Sequence, residues 1–112
     1  MTPTQWSFIQ IIDEWLDGNV SQEYKDQPLA QDWARVAKEG EERGESIAEL
    51  ILLTGQNPRK RKHLEARERL LDELADRALT AILGIQHFTK NTTETRMIIE
   101  NKLNKIVARV YT

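Results

Sequence analysis

Four carboxylates in this chain stand in two pairs of identical spacing. Glu42 and Glu45 are three residues apart, and so are Glu73 and Asp76. On a helix, residues three apart lie on one face. Two antiparallel helices, each with such a pair on its inner edge, would bring four oxygen ligands to one place. Oxygen donors of this kind suit a hard cation, Mg²⁺ or Mn²⁺, with water completing the coordination. Asp76 sharpens the case. It sits among Leu70, Leu71, Leu74, Ala75, Ala78, Leu79, Ile82 and Leu83, a segment apolar on almost every side. A carboxylate there is costly unless an arginine, a proton or a metal ion answers its charge. Arg77 is poorly placed, because neighbours in sequence do not face each other on a helix; Arg69 or Arg43 are the alternatives. The competing reading is a solvated face. Glutamate is a good helix former, and Glu39, Glu41, Glu49, Glu65 and Glu68, taken singly, fit that reading.

Helices must position these groups, and the pattern predicts four of them. The first covers residues 4–16, with Trp6, Phe8, Ile9, Ile11, Ile12, Trp15 and Leu16 as its apolar set and Gly18 as a stop. A polar connection over 19–27 leads to Pro28, a residue suited to a first helical position. The second helix runs from there to Thr54 and stops at Gly55. Trp33, Val36, Ala37, Gly40, Gly44, Ile47, Ala48 and Ile51 recur at helical spacing on it. Gly40 and Gly44 share one stripe, which predicts the close approach of another backbone or a ligand, since glycine costs a helix interior about 1 kcal/mol. A loop over 55–63 carries four consecutive cations, residues 59–62. The third helix covers 64–88, and the break at 89–93 offers Thr92 or Thr93 as a cap. The fourth covers 94–110. Four helices on short connections predict an all-α four-helix bundle, and the apolar third helix predicts a second copy on its far side.

Composition bounds the rest. The 112 residues fit one domain spanning the whole chain. At 30% charged and 39% apolar residues the composition is that of a soluble globular protein. A net charge of −2 argues against a strongly basic nucleic-acid binder. The absence of cysteine removes thiolate metal sites, disulfides and cysteine nucleophiles, and fits a cytoplasmic location. No secretory leader or membrane span is expected.

The words around the two pairs are K-x-x-E-E-x-G-E, from Lys38 to Glu45, and D-E-L-A-D, from Asp72 to Asp76, with 27 residues between Glu45 and Glu73. Both pairs, in this order and in helical context, resemble the MazG-like family of the all-α NTP pyrophosphatase superfamily. The resemblance covers roughly residues 33–88 and, more loosely, the last helix. It implies hydrolysis of a nucleoside triphosphate between its α and β phosphates, giving a monophosphate and pyrophosphate. It also implies that Glu42, Glu45, Glu73 and Asp76 hold Mg²⁺, with Mn²⁺ as a substitute. Glu41, Glu42 and Glu45 are the candidates to take the proton of the attacking water. Lys38 matches the motif lysine. The ending KLNKIVARVY is similar to the family's K-L-x-K-N-x-x-R-Y and nominates Lys102, Lys105 and Arg109 for phosphate or sugar. Trp33 is the aromatic nominated for the base, and Lys60 is the loop cation nominated for the triphosphate. Relatives assemble as dimers or tetramers.

Two departures stand out. Arg77 replaces a usually apolar residue, and Ile106 stands where an asparagine is common. They leave a second class of function in view, a catalytically silent helical dimer that binds a nucleotide or a regulatory partner. For the cations on the last helix and at 59–62, a solvated surface is the plain alternative. Contact of the loop with nucleic-acid phosphates is a third. Trp6, Trp15 and Trp33 recur at spacings more common in a core than in a base pocket. His63 and His87 have no assigned part, and no E-x-x-H pattern points to a di-iron site.

Overall fold

Local interactions set several of the helix ends. In a computed structural model of the chain, residues 1–55 and 66–112 are described. The cation run 59–62, Lys60 within it, His63 and the expected helix start at 64–65 lie outside the described residues. Helix α1 (Pro3–Gly18) opens on a capping box: Thr2 Oγ1 accepts from the Gln5 amide at 3.1 Å, and Gln5 Oε1 accepts from the Thr2 amide at 2.9 Å. A single 3₁₀ turn, Gln22–Tyr24, interrupts the polar connection. Helix α2 (Pro28–Thr54) ends at Gly55, whose φ of 71° is the left-handed conformation that favours glycine. Helix α3 (Ala66–Thr89) ends at Lys90, also left-handed at φ 51°. Helix α4 (Thr92–Val110) is capped by Asn91, whose Oδ1 accepts from the Glu94 amide at 2.9 Å. The cap is therefore neither Thr92 nor Thr93; both are already helical, while Asn91 keeps the extended backbone a cap requires. The architecture is all-α, with no strand among the described residues. No helix of the described residues is long and apolar enough to cross a membrane.

The described residues fall into two units. One comprises Met1–Pro28 and Ile82–Thr112. In it α1 packs on α4, and one stripe of α1 turns inward through Trp6, Ile9 and Asp13. Gln86 and Thr95 are buried too, and they satisfy each other: Thr95 Oγ1 donates to Gln86 Oε1 at 2.8 Å. Asp13 is 1% exposed. Lys90 Nζ answers it at 2.9 Å and reaches Asp17 at 2.7 Å. A lysine in the left-handed region costs about 1–2 kcal/mol; these two ion pairs offset it. Burial pulls the Lys90 pKa down, but the hydrogen bonds to Asp13 and Asp17 outweigh it and the net shift is upward. This stabilisation is complete below the ordinary lysine value and fades only as pH climbs through the raised one.

The other unit is Leu29–Ala81, formed by α2 and the first turns of α3. Its buried residues among those described are Glu42 and Ser46, not leucines. Arg77 Nε donates to Glu39 Oε1 at 2.6 Å, so Glu39 is no solvated bystander. The expected burial of α3 around Asp76 is not met in the single chain. Leu71, Leu74 and Leu79 are exposed, as is Asp76 itself, because the face of α2 turned toward α3 buries an acid and a serine, Glu42 and Ser46, instead of a hydrophobic stripe. The close approach expected at Gly40 and Gly44 is absent as well: a Cβ at either would meet nothing within 4 Å.

Lys90→Met should lower the unfolding free energy by about 1–3 kcal/mol, the figure for breaking a buried pair discounted for the half-exposed ammonium. Lys90→Gly should cost about 1 kcal/mol less than that, since it also relieves the left-handed backbone. Urea unfolding of the three chains checks both statements.

Candidate metal centre

The helical face that turns from α2 toward α3 is acidic. Glu42, Ser46 and Glu49 follow at spacings of four and three, with Glu45 beside them. The partners run in opposite order, Glu39 with Arg77 and Glu45 with Glu73, so the two helices are antiparallel here. This antiparallel pairing brings the two sequence motifs together. One carboxylate oxygen from each of Glu42, Glu73 and Asp76 lies within 4.8 Å of the others. Glu45 joins them by a side-chain hydrogen bond to Glu73. Three of the four nominated ligands thus offer oxygens to one group, and Glu45 stands at its edge beside Glu73.

Its electrostatics are unfavourable without a counter-charge. Glu42 is 8% exposed, and its Oε2 is buried with no hydrogen-bond partner among the described residues. Glu73 Oε2 is in the same condition, and so is Glu49 Oε2 further along α2. Desolvation raises the Glu73 pKa above the usual carboxylate value; the hydrogen bond that protonated Glu73 donates to Glu45 and the charges of Glu45, Asp76 and Glu42 add to the rise. Lys38 supplies partial relief. Its ammonium lies 3.2 Å from Glu41 Oε1 and 3.3 Å from Glu42 Oε1. Hydrogen bonds to Glu41 and then Glu42 raise the Lys38 pKa, so it stays charged.

The arrangement fits a divalent cation. Its donors are all carboxylate oxygens, the set preferred by Mg²⁺ and Mn²⁺. Octahedral bonds of 2.0–2.1 Å place opposite ligands about 4.2 Å apart, close to the spread of these three oxygens. Two of the residues involved carry a buried oxygen that no donor among the described residues satisfies.

The other nominated residues divide. Glu41 is exposed and engaged with Lys38. Trp33 lies on α2 and is 70% exposed, available for stacking but held by no core. Lys102, Lys105 and Arg109 are exposed on α4, in the unit that does not contain the carboxylates. A second group of ligating atoms, Asp13, Asp17 and His87, escaped the sequence reading. The signal was present: Asp13 falls on the inward stripe of α1 with Trp6 and Ile9. Lys90 already places its ammonium on both aspartates there. The chain matches no family model, no curated protein and no solved structure.

A carboxyl whose pKa is raised on folding favours the folded state below its ordinary value, and that contribution is lost as pH rises through the raised value. The Glu73 contribution to the stability of the metal-free protein should therefore fade as pH rises above the ordinary carboxylate value of about 4. Glu73→Gln should melt higher than the native chain at pH 7 in EDTA, and the gain should vanish near pH 4. Thermal melts across this range check the sign.

Proposed function

We propose that the chain is a Mg²⁺-dependent nucleoside triphosphate pyrophosphohydrolase. The observation that carries this reading is the convergence of Glu42, Glu45, Glu73 and Asp76, with buried oxygens on Glu42 and Glu73 that lack protein partners. The motif resemblance supplies the reaction class. The four carboxylates hold the ion, and Lys38 stands beside them as the nearest phosphate-binding cation. When bound, Mg²⁺ neutralises phosphate charge and lowers the pKa of a coordinated water. A water oxygen attacks the α-phosphorus, the bond from that phosphorus to the bridging oxygen breaks, and pyrophosphate leaves. One of Glu41, Glu42 and Glu45 accepts the water's proton. Glu45 is favoured, because its hydrogen bond to Glu73 already places it within proton-transfer reach of the cluster.

The active form is a homo-oligomer. Phe8, Ile11, Ile12 and Trp15 form an exposed stripe on α1, and Leu103, Ile106, Val107 and Val110 form one on α4. Contiguous apolar surface of this kind marks a contact face, and a second copy is the occupant consistent with the family resembled. Sedimentation equilibrium should give an even multiple of the chain mass, and Trp15→Glu should shift it toward the monomer.

Pyrophosphate release from a panel of NTPs and dNTPs tests the activity. Release should require Mg²⁺, stop in EDTA, and fall at least about 100-fold in Asp76→Asn, the scale of losing a metal ligand or its orienting partner, with the helical circular dichroism retained. Metal-independent release, or full activity in Asp76→Asn, would contradict the proposal.

A further inference from the structure

Resting on the reading of Glu42, Glu45, Glu73 and Asp76 as a cation site, we infer that Lys38 and the bound ion compete for a single carboxylate, Glu42. Lys38 is then the internal counter-cation of the metal-free site. It stands one turn before Glu42 on α2, and its ammonium lies 3.3 Å from Glu42 Oε1. The other oxygen, Oε2, is buried without a partner among the described residues and belongs to the carboxylate that faces Glu73 and Asp76. The two oxygens of Glu42 share one negative charge. A cation on either one weakens the hold of the other, and two cations a few ångströms apart repel directly.

Three further observations fit an exchange instead of a permanent bridge. Among the described residues, Lys38 is the cation in ion-pair contact with the Glu42, Glu73 and Asp76 group, since Arg77 turns to Glu39. Lys38 has a second partner outside the group, Glu41, at 3.2 Å. Both of those side chains are about half exposed, at 49% and 60%. An ammonium that leaves Glu42 therefore keeps a carboxylate and regains water, and no buried charge is stranded. The departure is cheap, whereas Glu42 cannot leave, being 8% exposed on the inner face of α2.

Mn²⁺ binding measured by titration calorimetry on the full chain separates the possibilities, with circular dichroism confirming the fold of each variant. Lys38→Met should bind Mn²⁺ about two- to fivefold more tightly than the native chain, the range expected for an ion pair of this exposure. Lys38→Arg, which restores the charge, should return toward the native value, and Asp76→Asn should bind much more weakly. Unchanged or weaker binding by Lys38→Met, with Asp76→Asn still impaired, would overturn the competition and leave the cation site standing. A native chain that takes up no Mn²⁺ would overturn both.

Discussion

Repulsion among the carboxylates between α2 and α3 is the constraint on which the second unit depends. Most antiparallel helix pairs are held by an apolar seam, and the hydrophobic effect supplies the largest favourable contribution. Here the inner face offers Glu42, Ser46 and Glu49 opposite Glu73, and no apolar side chain of the unit is buried among the described residues. The metal-free pairing leans on the Glu39–Arg77 ion pair, on Lys38 and on the hydrogen bond between Glu45 and Glu73. Each is partial. The Glu73 carboxyl responds by holding its proton beyond the ordinary range. An arrangement so acidic is costly for stability alone, and it becomes reasonable when a divalent cation completes it.

The two units treat acidic clusters in opposite ways. Around Asp13 and Asp17 the chain supplies its own cation, Lys90, and accepts a left-handed lysine to deliver it. Nearby, Gln86 and Thr95 are buried and bonded to one another. Around Glu42 and Glu73 no donor among the described residues meets the buried Oε2 atoms, and the described ammonium in contact with Glu42, that of Lys38, is shared with exposed Glu41. The first cluster has an ammonium held by both of its aspartates; the second has one that only Glu42 of the group holds, and the proposed function is assigned to it on that difference and on the motif.

Much of this was legible in the residues. Periodicity located all four helices, and Gly55 marked the end of α2 because its left-handed backbone excludes most other residues. The three-residue spacing of Glu42 with Glu45, and of Glu73 with Asp76, identified the faces that meet. The capping box is written in Thr2 and Gln5, and it starts α1 at Pro3, one residue before the apolar periodicity does. Other features depend on partners far along the chain. Nothing in the local pattern says that Lys90 reaches back to Asp13, or that Arg77 chooses Glu39. The burial of α3 was overestimated because apolar residues on a helix reveal that a cover is needed, not which molecule provides it. Asp76 in particular is exposed in the single chain, so the proposal that it is a ligand rests on the company of Glu42 and Glu73 and not on burial.

The most direct test is crystallographic. Crystals grown with Mn²⁺ should give an anomalous difference peak bonded to Glu42, Glu73 and Asp76 on the α2–α3 face, with Glu45 at its edge. No peak there at saturating Mn²⁺, or a peak at Asp13, Asp17 and His87 instead, would contradict the account.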